Sequence, residues 1–137
     1  MTGLATGTFY PHPPAKVWRA LTEPDLIARW LMPGDFRLEA GHRYRMQVPP
    51  LPAAGFSGTV DAEVLGFEPG RSLRVAWTDA VSGETWTLTW TLHAEGHGTR
   101  LFLHQTGGPG LERAAGIMRG GWRGRIAGRL SEVLHGL

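Results

Sequence analysis

The run Thr85-Trp86-Thr87-Leu88-Thr89-Trp90-Thr91-Leu92 alternates apolar and polar side chains without a break. In a strand, successive side chains point to opposite faces, so Trp86, Leu88, Trp90 and Leu92 share one apolar face and the four threonines share the other. Two tryptophans four residues apart on one face stand about 13–14 Å from each other, a surface too wide for a single neighbouring strand to cover. A bulky element must therefore lie across it. Later in the chain, the segment from Gly121 to Leu137 can do this. Its apolar residues, with Met118 just before it, recur at three- and four-residue spacing: Met118, Trp122, Ile126, Leu130 and Val133. The expectation is an α+β fold in which a sheet packs one face on a long C-terminal helix.

The remaining segments supply the sheet. Leu4 to Tyr10 reads as a first strand, closed by Pro11-His12-Pro13-Pro14, where proline ends a ladder and suits a helix entry. Two short helices follow, from Ala15 to Leu21 and from about Pro24 to Leu31, the second stopped by Pro33-Gly34. Alternation then predicts strands at Phe36–Glu39, Arg43–Val48, Ser57–Phe67, Ser72–Thr78, the tryptophan strand and Thr99–Thr106. Their short connections imply antiparallel neighbours. That makes a curved antiparallel sheet of seven strands, with two short helices after the first. Pro49 to Gly55 is a proline-rich loop suited to a rim or lid. Gly107-Gly108-Pro109-Gly110 separates sheet from helix. Gly116, Gly120, Gly124 and Gly128 fall opposite the helix's apolar stripe, a face that leaves room for a homodimer.

Composition narrows the chemistry. The 137 residues suit one domain, 1–137, with a core that needs no staples. The chain has no cysteine, which excludes disulfides, thiolate metal sites and thiol nucleophiles. Neither a signal-peptide pattern nor an apolar run of membrane-spanning length is visible, so a soluble, cytoplasmic protein is expected. Fourteen Lys and Arg against 12 Asp and Glu is too small an excess to point to nucleic acid. The arginines of the last segment, Arg113, Arg119, Arg123, Arg125 and Arg129, scatter around the flanks of the stripe, where their stems cover the core edge. Arg129, close to the stripe, is the one placed to reach an acidic ligand.

Several motifs carry a resemblance. Pro13-Pro-Ala-Lys-Val-Trp-Arg-Ala-Leu-Thr-Glu-Pro-Asp-Leu-Ile-Ala-Arg-Trp30, Gly41-His-Arg-Tyr-Arg45, Glu68-Pro-Gly-Arg-Ser-Leu73 leading to Trp77, Thr87-Leu-Thr-Trp90, Gly98-Thr-Arg-Leu101 and Gly121-Trp122 stand in order along the chain. Together they resemble the family named after the activator of Hsp-90 ATPase homologue, in the START-like, helix-grip (SRPBCC) superfamily that also holds polyketide cyclases. The resemblance implies a curved sheet gripping a long C-terminal helix, with a cavity for a hydrophobic ligand between them. Through its name it implies a link to stress response and chaperones. A single bacterial-type domain lacks the further domain that contributes to chaperone binding in the eukaryotic namesakes, so a chaperone partner is not expected. Where the family often has a second tryptophan after the one matching Trp30, this chain has Leu31-Met32. Where it often has a histidine or acidic residue, this chain has Gln105.

The residues expected between sheet and helix are mostly aromatic. Trp30, Phe36, Tyr44, Met46 and Trp77 come from the first half of the chain, and Trp86, Trp90, Gln105, Met118 and Trp122 from the second. Such a lining suits a small hydrophobic or aromatic molecule, with Gln105 and Tyr44 orienting it by hydrogen bonds. Of the six histidines, His93 and His97 straddle a turn and His104 faces away from the core, so no metal site and no cofactor are expected. A glutamine cannot act as a general base at neutral pH, and a tyrosine would need a strongly lowered pKa. Neither a nucleophile elbow nor a phosphate-binding loop is present. Ligand binding is the first expectation. A chaperone-associated interaction module and a cyclase-like enzyme acting on an aromatic or polyketide-like substrate are the alternatives.

Overall fold

The tryptophan strand sits in the interior of the sheet, paired on both sides. In the computed structural model, which describes residues 2–50, 52, 57–107, 118 and 120–137, it is β5 (Thr85–Glu95), flanked by β4 (Ser72–Asp79) and β6 (Gly98–Gly107). Before them come β1 (Thr2–Tyr10), α1 (Pro14–Thr22), α2 (Pro24–Trp30), β2 (Arg43–Gln47) and β3 (Thr59–Glu68). The six strands are antiparallel throughout, in the order β1-β6-β5-β4-β3-β2. A bulge between Val64 and Gly66, at the exposed Leu65, shifts the register of β3 so that Phe67 stands opposite the buried Leu73, and adds to the bend of the sheet. The expected turn at Gly108-Pro109-Gly110, the positions Arg113, Gly116 and Arg119, and most of the Pro49–Gly55 loop lie outside the described residues.

Six strands stand where the sequence predicts seven, because Phe36–Glu39 is not a strand. Phe36 is buried and Leu38 half-buried, so their inward alternation holds. The Glu39 amide, however, donates to the Arg37 carbonyl at 2.8 Å and closes a tight turn. The next turn then docks directly on β3, through Gly41 N–H to the Val64 carbonyl at 2.7 Å and Val64 N–H to the His42 carbonyl at 2.9 Å. That leaves β2 as the sheet edge. Alternation in four residues makes a strand only beside a partner, and this segment pairs with none.

The C-terminal helix, α3, is described over 120–135. It is π-helical at Gly124–Leu130 and α-helical again at Ser131–His135. A four-residue repeat drifts about 40° per step around an α-helix of 3.6 residues per turn. The looser i→i+5 winding counters that drift and keeps Trp122, Ile126 and Leu130 over the sheet, where all three are buried. Gly120, Gly124 and Gly128 are exposed on the opposite side, as their spacing predicts. Among the described residues, no helix is long and apolar enough to cross a membrane.

The core between sheet and helices is continuous. α1 contributes Val17, Ala20 and Leu21, and α2 contributes Leu26, Ile27 and Trp30. The Trp30 indole N–H donates to the Ala20 carbonyl at 2.8 Å, tying the second short helix to the first. Buried aromatics need such a partner for their polar edge.

Candidate functional site

The face of β5 is covered unevenly. Toward its C-terminal end, Leu92 and its partner Leu101 on β6 are buried, α1 lies against β5 and β6, and Leu130 and Leu134 of α3 are fully buried. Tyr10, at the end of β1, donates its hydroxyl to the Ile126 carbonyl and fixes the helix there. Burial pushes the pKa of this phenol well up, so it stays a donor.

Toward the N-terminal end of β5, helix and sheet stand apart around a cavity of about 210 Å³. Trp77 and Trp86, directly opposite each other on β4 and β5, form its floor. Met118, Gly121, Trp122 and Arg125 form the helical wall, and Leu31, Val48, Pro49 and Pro50 form the rim. Gly107 lets the Trp86 ring lie flat across β6, because a Cβ there would fall 2.4 Å from the indole Cδ1.

Gln105 is the polar group of the floor and is fully buried. Its Oε1 accepts the Trp122 indole N–H at 2.8 Å. That bond fixes the amide orientation and aims Nε2 at the Met118 sulfur, 3.8 Å away, which is a weak acceptor. The Trp122 ring is further held edge-to-face against Trp90 at 5.5 Å and tilted against Trp77 at 5.7 Å.

The rim is pinned by one carboxylate. Asp79, at the end of β4, accepts from the Ser57 amide and hydroxyl, both at 2.7 Å, and from the Val81 and Ser82 amides at 3.1 and 2.8 Å. Burial acts to raise its pKa, but these four donors outweigh it and hold the group at about 2. Next to Ser57, Gly58 carries the rim. Its φ is +101°, a Cβ would fall 2.5 Å from the Val48 carbonyl, and its own carbonyl accepts the Val48 amide at 2.7 Å.

Of the ten residues singled out from sequence, Trp77, Trp86, Gln105, Met118 and Trp122 surround this cavity. Trp30, Phe36, Tyr44, Met46 and Trp90, again with Trp77, surround a second void of only about 30 Å³, the room of one water molecule. Trp30 meets Trp90 edge-to-face at 5.6 Å, and Phe36 meets Tyr44 likewise at 5.6 Å. These rings fill space rather than line it. Tyr44 and Gln105 therefore belong to separate voids and do not converge on one ligand. Burial raises the Tyr44 pKa, opposite to what a tyrosine base would require.

Sequence reasoning passed over Arg125 and favoured Arg129. Arg129 is exposed, whereas Arg125 is half-buried in the cavity wall. Its Nε is buried with no hydrogen-bond partner among the described residues. Arg125 stands three residues after Trp122 and seven after Met118, a helical spacing that puts it on the edge of the stripe. Arg129 has the same relation to Ile126 and Trp122, so spacing alone cannot separate the two. Among the described residues, no cluster of His, Cys, Asp or Glu is arranged to hold a metal ion.

The architecture recurs in solved structures. Protein MLL2253 from Mesorhizobium loti is 33% identical, with a TM-score of 0.85, and the match covers 98% of this chain and 97% of that one. CalU16 from Micromonospora echinospora is 23% identical over 96% of this chain and 75% of its own, with a TM-score of 0.77. Protein BH1534 from Bacillus halodurans is 23% identical over 98% of this chain and 97% of its own, with a TM-score of 0.76. No curated protein matches the chain. The family description "Activator of Hsp90 ATPase homolog 1-like protein" matches residues 11–135. With that match spanning both short helices, β2 to β6 and α3, the chain belongs to the Activator of Hsp90 ATPase homolog 1-like family of the START-like superfamily.

Proposed function

We propose that this protein binds a small, largely hydrophobic or aromatic molecule between the sheet and the C-terminal helix. The observation that carries this reading is the cavity of about 210 Å³ at the N-terminal end of β5, next to an otherwise close-packed core. Well-packed interiors leave few voids larger than a water molecule, so a space of this size walled by three indoles supports a ligand-binding role. A cavity of about 150 Å³ lined by aliphatic and aromatic side chains takes benzene, which sets the scale here at one or two fused rings.

The wall supports binding more directly than turnover. Its described side chains are apolar or hydrogen-bond donors, and their one acceptor oxygen, Gln105 Oε1, is used by Trp122. Such groups orient a bound molecule. The family name refers to a chaperone activator, but the support for ligand binding comes from this chain's own cavity.

The test is native mass spectrometry of protein purified from its host or incubated with a host extract. A retained small molecule of one or two rings is the expected result. Bare protein, from an extract verified to contain aromatic metabolites, would count against the proposal.

A further inference from the structure

The cavity wall is unbalanced in its hydrogen-bonding groups. Gln105 Nε2 has only the Met118 sulfur before it, and Arg125 Nε has no partner among the described residues. None of the described lining side chains is acidic, and the lining oxygen that could accept is already taken by Trp122. A buried donor without an acceptor costs free energy, more so when it carries charge. The ligand can repay that cost if it brings the acceptors.

Resting on the binding reading above, we infer that the ligand is an anionic aromatic compound, a one- or two-ring carboxylate whose charged end meets the Arg125 guanidinium while Gln105 Nε2 donates to one of its oxygens. The rings then lie among Trp77, Trp86 and Trp122. Arginine suits this task because its planar fork matches a carboxylate in two parallel hydrogen bonds. Arg125 is half-buried whereas Trp77, Trp86 and Trp122 are buried, which puts the charged end toward solvent and the rings deeper. Partial desolvation, with a smaller contribution from nearby Arg129, disfavours the charge on Arg125, and an anion would relieve both.

The experiment compares matched pairs of probes, benzoate against benzamide and 2-naphthoate against 2-naphthamide, by isothermal titration calorimetry at neutral pH. For the better-fitting pair, the wild-type protein is expected to favour the carboxylate by at least ~10-fold, the preference shrinking as salt is raised. Arg125→Met should bring carboxylate affinity down to that of the amide, and Arg129→Met should leave the carboxylate preference unchanged. Circular dichroism verifies that the variants fold. Should Arg125→Met not fold, the wild-type carboxylate-to-amide ratio and its salt dependence decide the matter alone. Equal binding of amide and carboxylate overturns the anionic ligand but keeps the aromatic cavity. Binding of none of the four probes overturns the cavity reading, and this inference with it.

Discussion

The two ends of the sheet-helix interface are built from the same kind of residue and do different things. At one end Leu92, Leu101, Leu130 and Leu134 are all buried, and the Tyr10 hydroxyl clamps the helix backbone. At the other, Trp77 and Trp122 meet at a tilt and, with Trp86, border open space. Leucines are flexible enough in rotamer and small enough to close gaps, whereas indoles are rigid plates that prefer edge and tilted contacts. A tryptophan corner also brings an N–H that must be satisfied, and Gln105 is buried at that end to satisfy it. Under the binding proposal the wide aromatic end takes the ligand, and the leucine end is close-packed.

This contrast can be broken from both sides. Leu130→Ala removes a fully buried side chain from the closed end and should cost about 3–5 kcal/mol in denaturant unfolding. Met118→Ala, at the wall of an existing cavity, should cost only about 1–2 kcal/mol, since the missing atoms bordered open space. Equal losses would mean that the two ends are equally packed.

Asp79→Asn loosens the rim and should cost about 2 kcal/mol at pH 7. The sign with pH follows from the depressed pKa. The folded carboxyl sits at about 2, below its ordinary 3.8, so its contribution is complete above about pH 4 and is lost as pH falls toward 2. Unfolding midpoints measured across that range should fall steeply for the wild type and flatten in Asp79→Asn. Gln105→Leu leaves the Trp122 indole N–H buried without its acceptor and should cost about 1–2 kcal/mol, with a change in near-ultraviolet circular dichroism from the displaced ring. The smallest effect runs the other way. Gly120→Ala, on the exposed face of α3 with open space around a new Cβ, should stabilise by about 0.5–1 kcal/mol and raise the thermal midpoint slightly.

The contrast also marks how far sequence carries. Alternation at Trp86–Leu92 and the four-residue repeat at Trp122, Ile126 and Leu130 each specify a face, and burial of both faces follows directly. A face does not say how deep the space beneath it is. Trp30, Trp90 and Trp122 read alike as inward aromatics, yet Trp30 and Trp90 fill the core and Trp122 bounds a cavity. The difference arises from where α3 leaves the sheet, which is a matter of tertiary packing. Arg125 and Arg129 illustrate the same limit, since they have equivalent positions in the repeat, yet Arg125 is half-buried and Arg129 exposed. The seventh strand fails for a related reason, because Phe36 and Leu38 carry the pattern of a strand without a neighbour to pair with.

The most direct test follows the six tryptophan indole N–H signals by NMR while 2-naphthoate is added. The account predicts that the signals of Trp86, Trp122 and Trp77 shift together and saturate, and that Trp30, bonded to the Ala20 carbonyl in the filled core, stays in place. Shifts at Trp30 as large as those at Trp86, or no saturable shift at any of the six, would contradict it.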